Sequence, residues 1–528
     1  MTLLKIDYVS PLPPVRSGIA DYSRDLLPVL APLCDLRVIA LTGQPTADDF
    51  TDSWQLAPAA ETGAGGRVPL YHMGNNQYHL EVLDLALERP GILVLHDLVL
   101  HHLMVESTLA DGDLEKYRHA LEKDHGWIGE SAGRARRWGE LGNATKFSLP
   151  LHRDLLRRQR GVVVHSEWAR GVLLESDPEL AVRQVPMAVP LPKPVLPAAA
   201  SKMRARLGLS PHQMLLGTFG FQTPIKRTAV ALEALGSESL REVHLMIAGE
   251  VSPVLDLDQQ AASLGVSDRV HLMGFLDFNE FEVAIATCDL CLNLRYPTAG
   301  ETSASLLRVL AMGRPAVVSD YAQFAELSED MVLKVPLGDG EVETLAAAVG
   351  KLLEDRRRLE EMGQTARHYV ERQHNPTGVA HLLIEACVDL ADREPVGSSP
   401  AAPAPPTTLF CRDLPGELEV DGAEAPWPEW QERTLVVRLA NKSAARWLAA
   451  EEGVGGVVLA VHWRSSLADP GQNEIWLPLQ RPLLPGESQR FEVTLRKPAG
   501  CAILVIEPHI QGISGIGARG GPNWVRTV

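Results

Sequence analysis

Leu290-Cys291-Leu292-Asn293-Leu294-Arg295-Tyr296-Pro297-Thr298-Ala299-Gly300-Glu301-Thr302-Ser303-Ala304-Ser305 changes character twice within a few turns of chain. The apolar run over 290–294 reads as a buried strand. A loop holding Pro297 and Gly300 follows. A helix is then expected from about residue 302 to 312, stopped by Gly313 with Pro315 beyond. Thr302 or Ser303 can cap that helix, and its unpaired N–H groups would cradle a diphosphate beside Gly300. Glu301 stands at the loop mouth, where a carboxylate accepts hydrogen bonds from sugar hydroxyls. The plainer alternative is an acid that favours a positive helix end. Arg308 is seven residues on, two turns along the same face.

The same strand–loop–helix unit recurs on both sides of this stretch. Strands are expected over 4–9, 36–41, 70–73, 91–95 and 161–164, with a helix over about 19–32. Pro186, Pro190, Pro192, Pro194 and Pro197 mark a crossing. The pattern restarts with strands over 214–220, 244–249, 270–273, 290–294, 316–319 and 331–335, followed by helical composition over 341–392. Strands alternating with helices imply parallel sheets covered on both faces. The fold class expected is therefore α/β, with two Rossmann-like doubly wound domains over 1–195 and 196–392. A Pro/Ala-rich linker over 393–406 leads to residues 407–528, where strand candidates at short spacing and turn signals such as Asp469-Pro470-Gly471 indicate an all-β sandwich.

The chain has 528 residues, 45% of them apolar and 22% charged, with a net charge of −17. That balance argues against nucleic acid as a partner. No secretory signal or membrane-length apolar run is evident, and a cytoplasmic location is expected. Residues 112–160 run against the trend, with 11 Lys/Arg against 7 Asp/Glu, including Arg134, Arg136, Arg137, Trp138, Arg157, Arg158 and Arg160. They read as a solvated helical face, or alternatively as a peripheral patch for anionic lipid at the inner membrane. The six cysteines (Cys34, Cys288, Cys291, Cys387, Cys411, Cys501) form no disulfide framework, and Cys288-x-x-Cys291 reads as buried packing rather than metal chemistry.

Two tandem doubly wound sheets hold ligands beyond the carboxyl ends of their strands. The loops at those ends carry the candidates. Gly18 lies in Ser10-Pro11-Leu12-Pro13-Pro14-Val15-Arg16-Ser17-Gly18, where a helix start faces the cleft. Asn75 follows one strand, and His96-Asp97 ends another. His165-Ser166 ends a third, with Ser166 expected as a helix cap. Lys226 and Arg227 sit near a helix start, where the dipole disfavours an unpaired cation and a bound phosphate would reverse the penalty.

Together these segments resemble glycosyltransferase family four over about residues 1–390. Gly18 matches the glycine that meets the donor diphosphate, His96 the histidine that contacts the transferred sugar, and Lys226 the phosphate-binding lysine. Residues 185–190 match the interdomain Pro-x-Gly-Val stretch, and 246–249 the Ile-x-Gly strand end. Glu301 fits the first of two signature glutamates. At the second stands Arg308-Val309. Phe221-Gln222 occupies the place of a usual arginine, for which Arg227 is expected to compensate. The resemblance implies a GT-B retaining hexosyltransferase, without metal or cofactor, whose nucleotide-diphosphate sugar is a substrate. It implies catalytic roles for His96, Glu301 and Lys226, and diphosphate contacts from Gly18, Arg227, Gly300, Thr302 and Ser303. Asn75, Asp97 and Arg308 are expected to touch the sugar or a saccharide or lipid-linked acceptor in envelope or exopolysaccharide assembly. A nucleotide-sugar epimerase and an inactive saccharide binder are the competing classes. The final domain resembles immunoglobulin-like accessory domains. Its Trp427, Trp430, Trp447, Trp463 and Trp476 serve either the core or a sugar-stacking face.

Overall fold

The computed structural model describes residues 3–44, 53–137, 145–210, 212–397, 407–408, 414–452, 455–466, 472–511, 514–515 and 522–528. Trp138, Cys411, residues 398–406 of the linker and the turn at 469–471 lie outside them. The chain forms two compact units, one of Met1–Gly112 with Pro150–Ser399 and one of Asp113–Leu149 with Pro400–Val528.

The first unit holds two parallel sheets. One contains β1 (Lys5–Val9), β2 (Asp35–Ala40), β3 (Leu56–Pro58), β4 (Val68–Met73), β5 (Ile92–Leu95), β6 (Gly161–Val164) and β7 (Val182–Gln184), in the order β3-β2-β1-β4-β5-β6-β7. The other contains β8 (Met214–Phe219), β9 (Val243–Ala248), β10 (Val270–Gly274), β11 (Leu290–Asn293), β12 (Ala316–Ser319) and β13 (Val332–Val335), in the order β10-β9-β8-β11-β12-β13. Every residue of β4, β5, β6, β9, β11 and β12 is buried, which continuous apolar runs allow only when helices cover both faces. The strand order reverses between β1 and β4 and between β8 and β11. Those are the two places where adjacent strand ends splay and leave a crevice.

The short strands β3 and β7 were not expected, because three residues carry no readable periodicity. The helix after β11 runs Ala304–Ala311, starting later than expected because Ser303 is extended and acts as its cap. The three helices in the 341–392 stretch are Glu341–Glu354, Arg356–Gln373 and Pro376–Ala391. The last of them returns to the first sheet. Its Leu383, Cys387 and Leu390 join Tyr8, Leu26, Leu27 and Leu30 in one core. Gly161 leaves no room for a side chain there, since a Cβ would stand 2.5 Å from Leu390. His374 fixes the same crossing, its Nδ1 donating to the Met187 carbonyl at 2.8 Å and its own carbonyl accepting from Val189 at 2.9 Å.

In the second unit, β14 (Gly416–Asp421), β15 (Glu432–Asn441) and β18 (Ser488–Arg496) form one antiparallel sheet. The other comprises β16 (Val457–Arg464), β17 (Gln472–Pro478), β19 (Ile503–Ile510), β20 (Ser514–Gly515) and β21 (Trp524–Thr527). Trp427, Trp447 and Trp463 fill the core between leucines and valines, each ring contributing roughly 3 kcal/mol or more of apolar burial. Trp430 and Trp476 stay exposed, so the core reading holds for the three buried rings. The helical segment Leu114–Arg137 of this unit is broken at Gly126, with φ 58° and ψ −141°.

Several arginines of the basic stretch are paired. Arg118 faces Glu115, Glu122 and Glu130, and Arg134 also pairs with Glu130. In the first unit Arg157 pairs with Asp177 and Glu179, Arg158 with Asp154, and Arg160 donates to the Ala391 carbonyl. Among the described residues no helix is long and apolar enough to cross a membrane. Cys288 and Cys291 are buried, as expected of packing.

Candidate functional site

The loops after β1, β4, β8 and β11 are those at the two reversal points, and most sequence-derived candidates lie on them. On the first sheet, Ser17 caps the helix Gly18–Leu30, accepting from the Ile19 amide at 3.3 Å. A Cβ at Gly18 would meet nothing within 4 Å, so the helix start looks onto open space. Asn75 organises its neighbours. Its amide donates to Asp97 Oδ2 at 2.9 Å and its Oδ1 accepts from the Leu103 amide at 2.9 Å.

Two loops from different sheets clasp each other. The Val99 amide donates to the Ala299 carbonyl at 3.0 Å. Gly300 sits at φ 79°, and a Cβ there would lie 2.6 Å from Leu98. Only glycine satisfies both the backbone angle and the close approach. The clasp brings Asp97 towards Glu301. Burial first, and then the Glu301 charge, push the Asp97 carboxyl up to about 7, with the Asn75 amide opposing them.

Glu301 is held rather than loose. Its Oε2 accepts from Thr298 Oγ1 and the Ala299 amide, both at 3.0 Å, and its Oε1 lies 3.5 Å from Arg295 Nε. Gln323 ties the loop down, donating to the Glu301 carbonyl at 2.7 Å and to Thr298 Oγ1 at 3.0 Å, while its own Oε1 is buried without a partner. Ser303 caps the helix Ala304–Ala311 through the Leu306 amide at 3.2 Å and donates to Asn293 Oδ1 at 3.0 Å. The amides of Thr302, Ser303, Ala304 and Ser305 make no hydrogen bond among the described residues. They are the free donors of the helix start.

Lys226 ends the short turn Pro224–Lys226 after β8. Its amine donates to the Phe219 carbonyl and packs against Gly220, where a Cβ would stand 2.7 Å from Nζ. Burial pushes its pKa well below the usual lysine range, Arg295 adds repulsion, and Glu301 partly restores the charge. Gly249 at the end of β9 lets the two strand ends touch, since a Cβ would lie 2.2 Å from the Gly220 carbonyl oxygen.

Three of the expected residues have protein partners of their own. Arg227 is paired with a carboxylate. It binds Glu341 in a bidentate pair through one guanidinium edge, Nε donating to Oε1 at 2.9 Å and Nη2 to Oε2, and its guanidinium lies 5.6 Å from the Tyr296 ring. Arg308 pairs with Asp25 of the Gly18–Leu30 helix at 3.1 Å and its guanidinium lies 4.7 Å from the Phe278 ring, so it joins the two sheet layers. His96 is buried, and both its ring nitrogens are occupied.

The histidine arrangement follows from one carbonyl. Val185 can only accept, so His165 Nδ1 donates to it at 2.9 Å and His165 Nε2 accepts. His96 Nδ1 then donates to His165 at 3.1 Å, and His72 Nδ1 donates to His96 Nε2 at 3.1 Å. Burial keeps all three rings neutral, with His165 pushed down to about 4. A sugar hydroxyl therefore finds no free N–H on His96. His165 was expected only beside a capping serine. Ser166 does cap the next helix, through the Ala169 amide at 3.2 Å.

Arg295 and Gln323 are the residues the sequence reading left without a role. Arg295 carried a signal, being an arginine directly after an apolar strand. Gln323 carried none. Among the described residues, no group of three His, Cys, Asp or Glu could hold a metal ion.

The fold of the first unit is shared with solved glycosyltransferase-type structures. The Anabaena protein HepE in a complex with UDP is 16% identical, with a TM-score of 0.52, over 73% of this chain and 100% of that one. HepE is also solved with UDP-glucose, at 15% identity and the same TM-score and coverage. Sucrose-phosphate synthase from Thermosynechococcus elongatus is 16% identical, with a TM-score of 0.54, over 73% of this chain and 99% of that chain. At these identities the likeness is one of fold. No curated protein matches the chain. Residues 211–355, which carry Lys226, Arg295 and Glu301, match the family model described as Glycosyl transferases group 1.

Proposed function

We propose that the chain is a glycosyltransferase that moves a hexose from a nucleoside-diphosphate sugar to a saccharide or lipid-linked acceptor, with retention at the anomeric carbon and no metal, in envelope or exopolysaccharide assembly. The observation that carries this reading is the pairing of Lys226 with the open amides of Thr302–Ser305 at the reversal point between β8 and β11. The match of 211–355 to the group 1 model supports it.

In the reaction the C1–O bond to the diphosphate breaks as an acceptor oxygen bonds to C1, and the acceptor proton leaves with the departing phosphate oxygen. Lys226 and the helix start stabilise charge growing on that oxygen, an electrostatic effect at its largest where water is excluded. Glu301 accepts from the sugar hydroxyls. Asp97, protonated up to about pH 7, can also donate to one. His96 gives the sugar a rigid floor, with His72 and His165 fixing its ring.

The test is incubation with a panel of nucleoside-diphosphate sugars, with and without saccharide and lipid-linked acceptors, followed by NMR of the sugar. Acceptor-dependent consumption with the anomeric configuration kept is expected. A change of sugar configuration without acceptor would assign an epimerase. No binding of any donor would leave a saccharide-binding protein.

A further inference from the structure

We infer that Arg295 is the second phosphate-binding cation of this site, taking from the end of β11 the place left empty at Phe221-Gln222. This rests on the nucleoside-diphosphate reading above. The other arginines near the two sheets' facing loops are engaged elsewhere. Arg227 is committed to Glu341 and Arg308 to Asp25 and Phe278. Arg16 lies over the Phe275 ring at 5.3 Å.

Arg295 is different. It is 6% exposed, its own amide is fixed by Ser319 Oγ at 3.0 Å, and Nη1 donates to the Leu294 carbonyl at 2.9 Å. Its nearest carboxylate oxygen, on Glu301, is 3.5 Å from Nε, an ion-pair distance rather than a tight hydrogen bond. Nη2 has no protein partner among the described residues, and Lys226 uses its amine for one carbonyl. Two buried basic side chains thus share one carboxylate, and Glu301 also serves Thr298 and Ala299. A buried charge without a counter-charge is costly, so this cluster is built for an incoming anion. Donors on two residues suit a diphosphate better than a single phosphate: Lys226 and the helix amides take one phosphoryl group and the Arg295 fork the other.

The experiment compares affinities for UDP, GDP and ADP, for the matching monophosphates and for inorganic pyrophosphate, by calorimetry on the full chain. The best diphosphate is expected to bind at least 30-fold tighter than its monophosphate. Arg295→Ala should cut that ratio at least tenfold while the monophosphate affinity changes less than threefold. Arg295→Lys keeps a charge in the same pocket and should recover part of the ratio. If the alanine variant does not fold, Arg295→Gln takes its place, because a retained wild-type ratio in either charge-removing variant overturns the assignment. An equal loss for mono- and diphosphate would also overturn it, since that marks a structural role. If the wild type binds no nucleotide and no pyrophosphate, the donor reading falls and this assignment with it.

Discussion

Arg227→Ala separates the structural account from the sequence expectation most sharply. In the fold, Arg227 is the counter-ion of Glu341, whose side chain is 4% exposed while that of Arg227 is 23% exposed. Removing one partner of a buried pair costs about 3–5 kcal/mol, because the other charge stays buried and uncompensated. Two features reduce the figure here. The arginine end is partly solvated, and Glu341 sits in the first turn of Glu341–Glu354, where the helix dipole favours a negative charge. A loss of about 2–3 kcal/mol is then expected. Loss of the ring contact with Tyr296 adds to it, by about 0.5 kcal/mol. Glu341→Gln should cost less, and the double variant Arg227→Ala/Glu341→Gln should be more stable than the sum of the singles by about 1–2 kcal/mol. The assay is urea unfolding of all four proteins, read as midpoints at a common slope. Donor affinity of Arg227→Ala should stay within threefold of wild type once it is folded. Unchanged unfolding together with a tenfold or greater loss of nucleotide affinity would refute the pairing argument and restore Arg227 as a phosphate ligand.

Three further outcomes follow from the site. Lys226→Ala and Glu301→Ala should each lower transfer at least 100-fold, about 3 kcal/mol of transition-state stabilisation, and wild-type rates in steady-state assays would remove both from the site. Gly300→Ala should destabilise by about 1–2 kcal/mol from its left-handed φ and lose at least tenfold in kcat/KM as Leu98 is pushed away, whereas an intact rate would show that the clasp is dispensable. Asp97 holds its proton in the folded state up to about pH 7, while the unfolded chain releases it near the usual carboxylate value of 3.8. Between about pH 4 and pH 7 the folded state therefore binds more protons, and this group's contribution to stability falls as pH rises through that window. Asp97→Asn should remove that slope, and identical pH profiles of unfolding for both proteins would contradict the buried environment.

What was legible before folding was set by local pattern. Strands such as β9 and β11 announce themselves as apolar runs because both faces are buried. The loops that end them could be placed by the same logic, which located Gly18, Lys226, Gly300 and Ser303. Which cation faces the ligand was not legible. That choice depends on Glu341, 114 residues from Arg227, and on Asp25, 283 residues from Arg308. No periodicity records such pairings. The surroundings of His96 were hidden for the same reason. Its neighbours on adjacent strands, His72 and His165, are 24 and 69 residues away, and only their register turns three ordinary strand-end histidines into one chain of hydrogen bonds.

The departures from the family pattern make physical sense when taken together. Arg308 stands where a glutamate would hold a ribose, and it is spent on an interlayer contact with Asp25 and Phe278. The Phe278 ring also receives Arg24 at 5.8 Å, so the same contact ties the Gly18–Leu30 helix to the Phe278–Thr287 helix. These contacts fix the relation between the two sheets. A site whose halves are held in register can position a diphosphate with fewer direct contacts, because less ordering remains to be done on binding. On the proposed function, donor recognition would then rest on the phosphate end, with Lys226, Arg295 and the open amides after Glu301. Ribose variants of the donor should accordingly be tolerated better than loss of a phosphate. Equal affinity for ribo- and deoxyribonucleoside diphosphates is the expected result, and a tenfold preference for the ribose form would show that another group has taken over the missing glutamate's work.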